Sequence, residues 1–225
     1  MATNDPHHNS PLLHAGAALT QARLAVVLLH GRGGSAEDIL GLADAFGLPG
    51  VAYVAPQASE HTWYPLSFLA EREANQPYLD SALARVAAVT SQLQQGGFAA
   101  SRIVLAGFSQ GACLASEFLY RHPAPFAGLI AYTGGLIGNL IGPADLPGSQ
   151  PDGARPAGQQ LAGTRVLLSS GDPDPHVPWQ RVQQTAELLA AMGASVTTQR
   201  YPGRPHTILP QEIAAGRDLL QTLLT

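Results

Sequence analysis

Lysine is absent from this 225-residue chain; all 12 of its basic residues are arginine. That single absence removes Schiff-base chemistry, a Ser–Lys dyad and a P-loop lysine. Cysteine is nearly absent too. Cys113 stands alone, so neither an intramolecular disulfide nor a multi-cysteine metal site can form. Charged residues make up only 12%, with a formal charge of −4, which gives no electrostatic reason to expect nucleic acid or an anionic membrane surface as a partner. Long apolar runs are missing: the longest, from Leu24 to Leu29, is far too short for membrane insertion. The first ten residues, with Asp5 and the His7–His8 pair, lack a basic stretch followed by an apolar one. They read as a loose arm without a secretory signal, and a cytoplasmic protein is the expectation.

What is present is a globular composition, 45% hydrophobic, long enough for one substantial core. Residues 11–225 are therefore read as a single domain behind the arm of residues 1–10. Short apolar runs alternate with longer amphipathic stretches, which predicts an α/β fold with a mainly parallel sheet and helices on both faces. Strands are expected at Leu24–Leu29, Val51–Ala55, Arg102–Ala106, Ala127–Tyr132, Arg165–Ser170 and Ser195–Tyr201. Helices are expected at Ala36–Phe46, Gln76–Gln94, Gln110–Arg121, Gln180–Met192 and Pro210–Leu224. In the second of these, Leu79, Leu83, Val86, Val89 and Leu93 recur at helical spacing and should cover one sheet face. Residues 134–163 break the rhythm: they are rich in Gly, Pro and polar residues, with an apolar island at Leu136–Ile141. Connections of that length are uncommon and often functional, so the segment is read as a surface excursion beside a site.

The local signal that carries chemistry is Gly107-Phe108-Ser109-Gln110-Gly111. A G-x-S-x-G pentapeptide alone is common; between a strand and a helix it becomes a nucleophile elbow, with a serine lifted off the strand end on a strained turn. A serine hydroxyl needs a base and an orienting acid, which follow in the order Asp, His in this kind of fold. The next strand ends in Gly171-Asp172-Pro173-Asp174-Pro175-His176-Val177-Pro178, and the one after it in Tyr201-Pro202-Gly203-Arg204-Pro205-His206. Asp172 and Asp174 are both placed to orient a base. His206 is the expected base, since His176 lies too near the aspartates in sequence. The helix opening at Gln110 aims free N–H groups at a developing oxyanion, and the loop His30-Gly31-Arg32-Gly33-Gly34 offers a second backbone donor at Arg32.

In these pieces the chain resembles the phospholipase/carboxylesterase group of α/β-hydrolases, which includes acyl-protein thioesterases and bacterial carboxylesterases. The similarity runs from about residue 24 to the C-terminus, with Ala112 and the long 134–163 segment as departures. The resemblance implies Ser109 as nucleophile, His206 as general base and Asp174 as its orienter, without a cofactor or metal. It also implies that Trp63 and Tyr64 line the substrate pocket. Leu136, in the apolar island, is a candidate wall for an acyl channel or else core.

Rival readings are weaker. Asp172 reads as a turn-capping carboxylate, and His30 as a residue that fixes the oxyanion loop. His7, His8, His14, His61 and His122 lack metal-ligand spacing and are expected at the surface. Cys113, one turn into the helix after Ser109, reads as a small hydrophobe against the sheet. Gly31-Arg32-Gly33-Gly34-Ser35-Ala36 fits a dinucleotide fingerprint, but the next strand runs into Pro56-Gln57-Ala58-Ser59 without the required carboxylate. The expected partner is a small ester or thioester, with lysophospholipids and lipidated proteins as alternatives. A catalytically silent binding protein would need a missing or blocked residue, and neither is visible. Nothing in the sequence decides between a monomer and a homodimer.

Overall fold

The computed structural model describes residues 5–142 and 158–225. Its centre is a seven-stranded sheet in the order β1-β3-β2-β4-β5-β6-β7. The strands are β1 (Leu12–Gly16), β2 (Leu24–Leu29), β3 (Val51–Pro56), β4 (Ile103–Phe108), β5 (Gly128–Tyr132), β6 (Arg165–Asp172) and β7 (Ser195–Pro202). All neighbours pair parallel except β1, which runs antiparallel to β3 with Leu13 opposite Ala55. Between the strands lie α1 (Ala36–Phe46), α2 (Tyr78–Gln95), α3 (Gln110–Arg121) and α4 (Trp179–Ala191), and α5 (Pro210–Leu224) closes the chain.

The unbroken apolar runs make the inner strands: every residue of β2, β3 and β5 is buried, as strands covered on both faces must be. One face packs α2, α3 and α4, through residues such as Leu83, Phe118 and Leu189. The other packs α1 and α5, through Ile39, Phe46 and Leu220. The stripe Leu79, Leu83, Val86, Val89, Leu93 on α2 is entirely buried. β1 has no counterpart in the sequence reading, because Leu-Leu-His-Ala-Gly is too short and too weakly alternating to announce an edge strand. β6 continues to Asp172, where it still pairs with Pro202.

Two expectations about the periphery are corrected. Asp5 to Ser10 do not form a loose arm. His7 is fully buried: its amide donates to Ser81 Oγ (2.9 Å), its Nε2 donates to the Trp63 carbonyl (3.0 Å), and its Nδ1 accepts from the Ser59 amide (3.1 Å). A neutral imidazole with both nitrogens satisfied is stable in the interior, and no local pattern signals it. The 134–163 segment is not wholly a surface excursion either. Leu136, Ile137 and Leu161 belong to the core, and the Leu136 and Ile137 amides donate to Thr185 Oγ1 and Glu117 Oε2. Residues 143–157 of that segment lie outside the described residues. No helix among the described residues is long and apolar enough to cross a membrane.

Candidate active site

The strand C-termini of β2, β4, β6 and β7 deliver the candidate residues to one edge of the sheet. Ser109 follows β4 with φ 53° and ψ −117°, a conformation that costs a non-glycine residue of order 1–3 kcal/mol. Close backbone packing holds it there. A Cβ at Gly111 would sit 2.0 Å from the Leu29 carbonyl oxygen, and one at Gly107 would sit 2.5 Å from the Gly111 carbonyl carbon. The Ser109 amide donates to the Tyr132 carbonyl at 2.9 Å, fixing the turn to the neighbouring strand.

Ser109, His206 and Asp174, from three separate loops, meet in one line. Ser109 Oγ lies 2.9 Å from His206 Nε2, and His206 Nδ1 lies 2.9 Å from Asp174 Oδ2 and 3.1 Å from Oδ1. An ionised carboxylate only accepts, so Nδ1–H donates to Asp174 and Nε2 is left to accept from the serine hydroxyl. The Asp174 side chain is fully buried, while His206 keeps one-fifth of its surface exposed. Burial alone would raise the Asp174 pKa. Hydrogen bonds from His206 and from the His176 and Val177 amides (2.9 Å each) outweigh it and hold the carboxyl below its ordinary range. Asp172 points elsewhere and pairs with Arg200. The His206 ring is packed between Phe108, with centroids 5.1 Å apart, and the edge of His176, at 4.8 Å.

Arg32, in the loop after β2, and Gln110, the first residue of α3, line the same cleft as Ser109 and His206. The side chains of the same two residues build the cleft wall. Arg32 donates to the carbonyls of Tyr64, Pro65 and Leu66, and Gln110 binds the Trp63 amide (2.9 Å) and the Tyr64 carbonyl (2.8 Å). His30 braces the loop from behind, its Nδ1–H donating to the Gly31 carbonyl (2.8 Å) and its Nε2 accepting from the Ala58 amide (3.0 Å).

Ser109 and His206 open onto a cleft of about 700 Å³ whose wall includes Tyr64, Leu66, Phe68, Leu69 and His176. Two expected pocket residues are absent from it. Trp63 is fully buried behind the wall, donating its indole N–H to the His30 carbonyl at 2.9 Å, because a buried indole needs an acceptor and the oxyanion loop supplies one. Leu136 packs in the core, its amide held by Thr185 Oγ1 of α4. Tyr64 does line the cleft. Leu66, Phe68 and Leu69 were missed, although they follow Trp63-Tyr64-Pro65 directly. Leu66 and Leu69 are 48% and 40% exposed, unusual for leucine beside a cleft. Cys113 lies on the cleft floor, with burial pushing its thiol up to about 12, so it is not a competing nucleophile at neutral pH.

The sequence profile of the phospholipase/carboxylesterase family matches residues 17–224. The chain belongs to this family. Its fold is the α/β-hydrolase fold of a phospholipase/carboxylesterase from Dyadobacter fermentans, with a TM-score of 0.85, 42% identity and coverage of 97% of this chain and 98% of that one. Acyl-protein thioesterase 2 of Zea mays shares the fold alone, at a TM-score of 0.74 and 20% identity over 96% of this chain and 100% of the other. Acyl-protein thioesterase 1 of Gibberella zeae is 34% identical over 122 residues, 52% of this chain and 46% of that protein. Its Neurospora crassa counterpart is 30% identical over 124 residues, 55% of this chain and 47% of that protein. The matches thus span about half the length of these two relatives.

Besides His122, whose pKa is lowered by burial and by the nearby Arg72 and Arg121, two histidines make folding pH-dependent. Burial, opposed in part by a bond to the Trp63 carbonyl, lowers the His7 pKa from 6.5. Burial also lowers that of His30, opposed by its bond to Gly31. In each, one ring nitrogen accepts an amide proton and has no room for its own. Below about pH 6.5 the unfolded chain binds protons that the folded one refuses, so stability is complete above that pH and falls as pH drops. Melting temperature is expected to be level from pH 7.5 to 7 and to decline steadily from 6.5 to 5. A flat profile across that lower range would show that neither imidazole is held neutral.

Proposed function

We propose that this chain is a serine hydrolase that cleaves carboxylic esters through an acyl-enzyme, with short-chain esters as its substrates. The observation that carries this is the unbroken hydrogen-bonded line from Ser109 Oγ through His206 to the buried Asp174. Ser109 Oγ attacks the acyl carbonyl as His206 Nε2 takes its proton. The carbonyl oxygen, now negative, is held by the Arg32 and Gln110 amides. Asp174 stabilises the imidazolium and keeps its tautomer. His206 then gives the proton to the leaving alkoxide or thiolate as its bond to the acyl carbon breaks. Water repeats the sequence from the vacated side, freeing the acid and restoring Ser109. A fluorophosphonate probe, which requires an activated serine, is expected to add one equivalent per chain, recovered on the Ser109 peptide by mass spectrometry. Absence of labelling in folded protein would remove the proposal and favour a silent binding protein.

A second reading, acyl-protein thioesterase or lysophospholipase, has a specific observation in its favour. The cleft carries Leu66 and Leu69 with much of their surface exposed, a wall suited to a long acyl chain, and the fungal relatives are named as thioesterases. A p-nitrophenyl series from acetate to palmitate separates the two. Peak kcat/KM at butyrate or shorter supports the short-chain esterase, and a peak at C12 or longer supports the second reading.

A further inference from the structure

A second space adjoins His206 and is lined by none of residues 64–69. This groove lies between α1 and α5, has a volume of about 420 Å³, and begins at Gly31, Phe108 and His206. Beyond them its walls are apolar, Ile39 and Leu42 from α1 and Ile208 and Ile213 from the chain entering α5. Its size falls in the range of about 300–1,000 Å³ usual for small-molecule sites. Gly31 stands where groove and cleft meet: a Cβ there would lie 3.3 Å from the Phe108 ring and 3.5 Å from Ser109 Cβ. Arg32 and His206 line both spaces, but Ser109 lines only the cleft.

That division has a chemical consequence, resting on the roles proposed above for Ser109 and His206. The acyl group stays bonded to Ser109 and therefore belongs to the cleft. The leaving atom must face His206 Nε2 to receive its proton, so the leaving group departs past His206. We infer that the groove between α1 and α5 receives the leaving group of the substrate and selects uncharged, apolar alcohols or thiols. Asp38 is the only carboxylate along it among the described residues, and the Arg32 guanidinium is turned to the carbonyls of residues 64–66. The apolar walls and the Asp38 carboxylate disfavour an anionic leaving group, including a phosphate-bearing one, relative to an uncharged one of the same size.

The test holds the acyl group at butyrate and varies the alcohol. From ethyl to hexyl butyrate, kcat/KM is expected to rise about 30-fold, roughly two- to threefold per methylene. The butyrate ester of 3-hydroxypropanoate is expected to react at least tenfold more slowly than propyl butyrate. Gly41 lies on the groove side of α1 with open space beyond its Cβ position, so Gly41→Phe fills the groove without a backbone clash. It should cut the hexyl-to-ethyl ratio below about fivefold, while the acyl series on ethyl esters keeps its shape. A flat alcohol series in the wild type, or equal rates for the anionic and neutral esters, would overturn the inference. So would a Gly41→Phe variant that flattens the acyl series instead. In each of these cases ester turnover persists, and the hydrolase reading stands. Loss of all turnover together with an unlabelled Ser109 would overturn both.

Discussion

Ser109→Ala is expected to lower kcat for p-nitrophenyl butyrate by about 10⁴–10⁶-fold, leaving only what the oxyanion donors and substrate binding supply. No neighbouring group can replace the lost hydroxyl: Cys113 is buried with its thiol raised to about 12, and lysine is absent. His206→Ala should cost a similar factor, and the double variant little more, because nucleophile and base act as a unit. The same position carries an independent structural signature. Ser109 is held at φ 53° and ψ −117°, which a residue without Cβ adopts more easily. Ser109→Gly should therefore be as inactive as Ser109→Ala yet about 1 kcal/mol more stable than wild type in urea denaturation. Activity within tenfold of wild type in either variant would mean that hydrolysis occurs elsewhere.

The second large effect lies beneath His206. Arg204 and Glu212 form an ion pair at 3.1 Å with side chains only 3% and 0% exposed. The Arg204 guanidinium also donates to Thr133 Oγ1 and to the Pro205 carbonyl. Glu212 accepts from Ser169 Oγ and from the Leu209 amide. The network ties the His206 loop to the ends of β5 and β6 and to the first turn of α5. Glu212→Ala leaves a guanidinium buried without its counter-charge, and it is expected to cost about 3–5 kcal/mol of stability. His206, two residues beyond Arg204, should lose its position over Ser109, and displacement of about 1 Å can lower kcat by around 10². Arg204→Met combined with Glu212→Leu removes both charges, so most of the stability should return while kcat stays low. A Glu212→Ala variant within 1 kcal/mol of wild type would show that water reaches the pair.

Much of the site was readable along the chain because its parts are local. A serine between two glycines at a strand–helix junction follows from short-range backbone sterics. Aspartates and a histidine at successive strand ends follow from the βα alternation. The glycine-rich loop after β2 follows from the same alternation. What could not be read depends on neighbours far apart in sequence. Choosing Asp174 over Asp172 by geometry required the His206 ring to be in place; the spacing allowed either. Arg204 and Glu212 carry no motif, and they form a pair only because β7 and α5 fold over the ends of β5 and β6.

The sequence by itself determined the α/β alternation, the strained elbow at Ser109 and the order of its partners, since all three arise from interactions within a few residues of each other. Tertiary structure decided which side chains line the cleft. It buried Trp63 behind the cleft wall because its indole found the His30 carbonyl. It drew His7 inward because Ser81, Trp63 and Ser59 satisfied it, and it left Leu66 and Leu69 exposed beside the cleft. Local sterics choose a backbone shape, but whether a side chain lines a cavity or fills a core depends on partners that only the closed fold brings together.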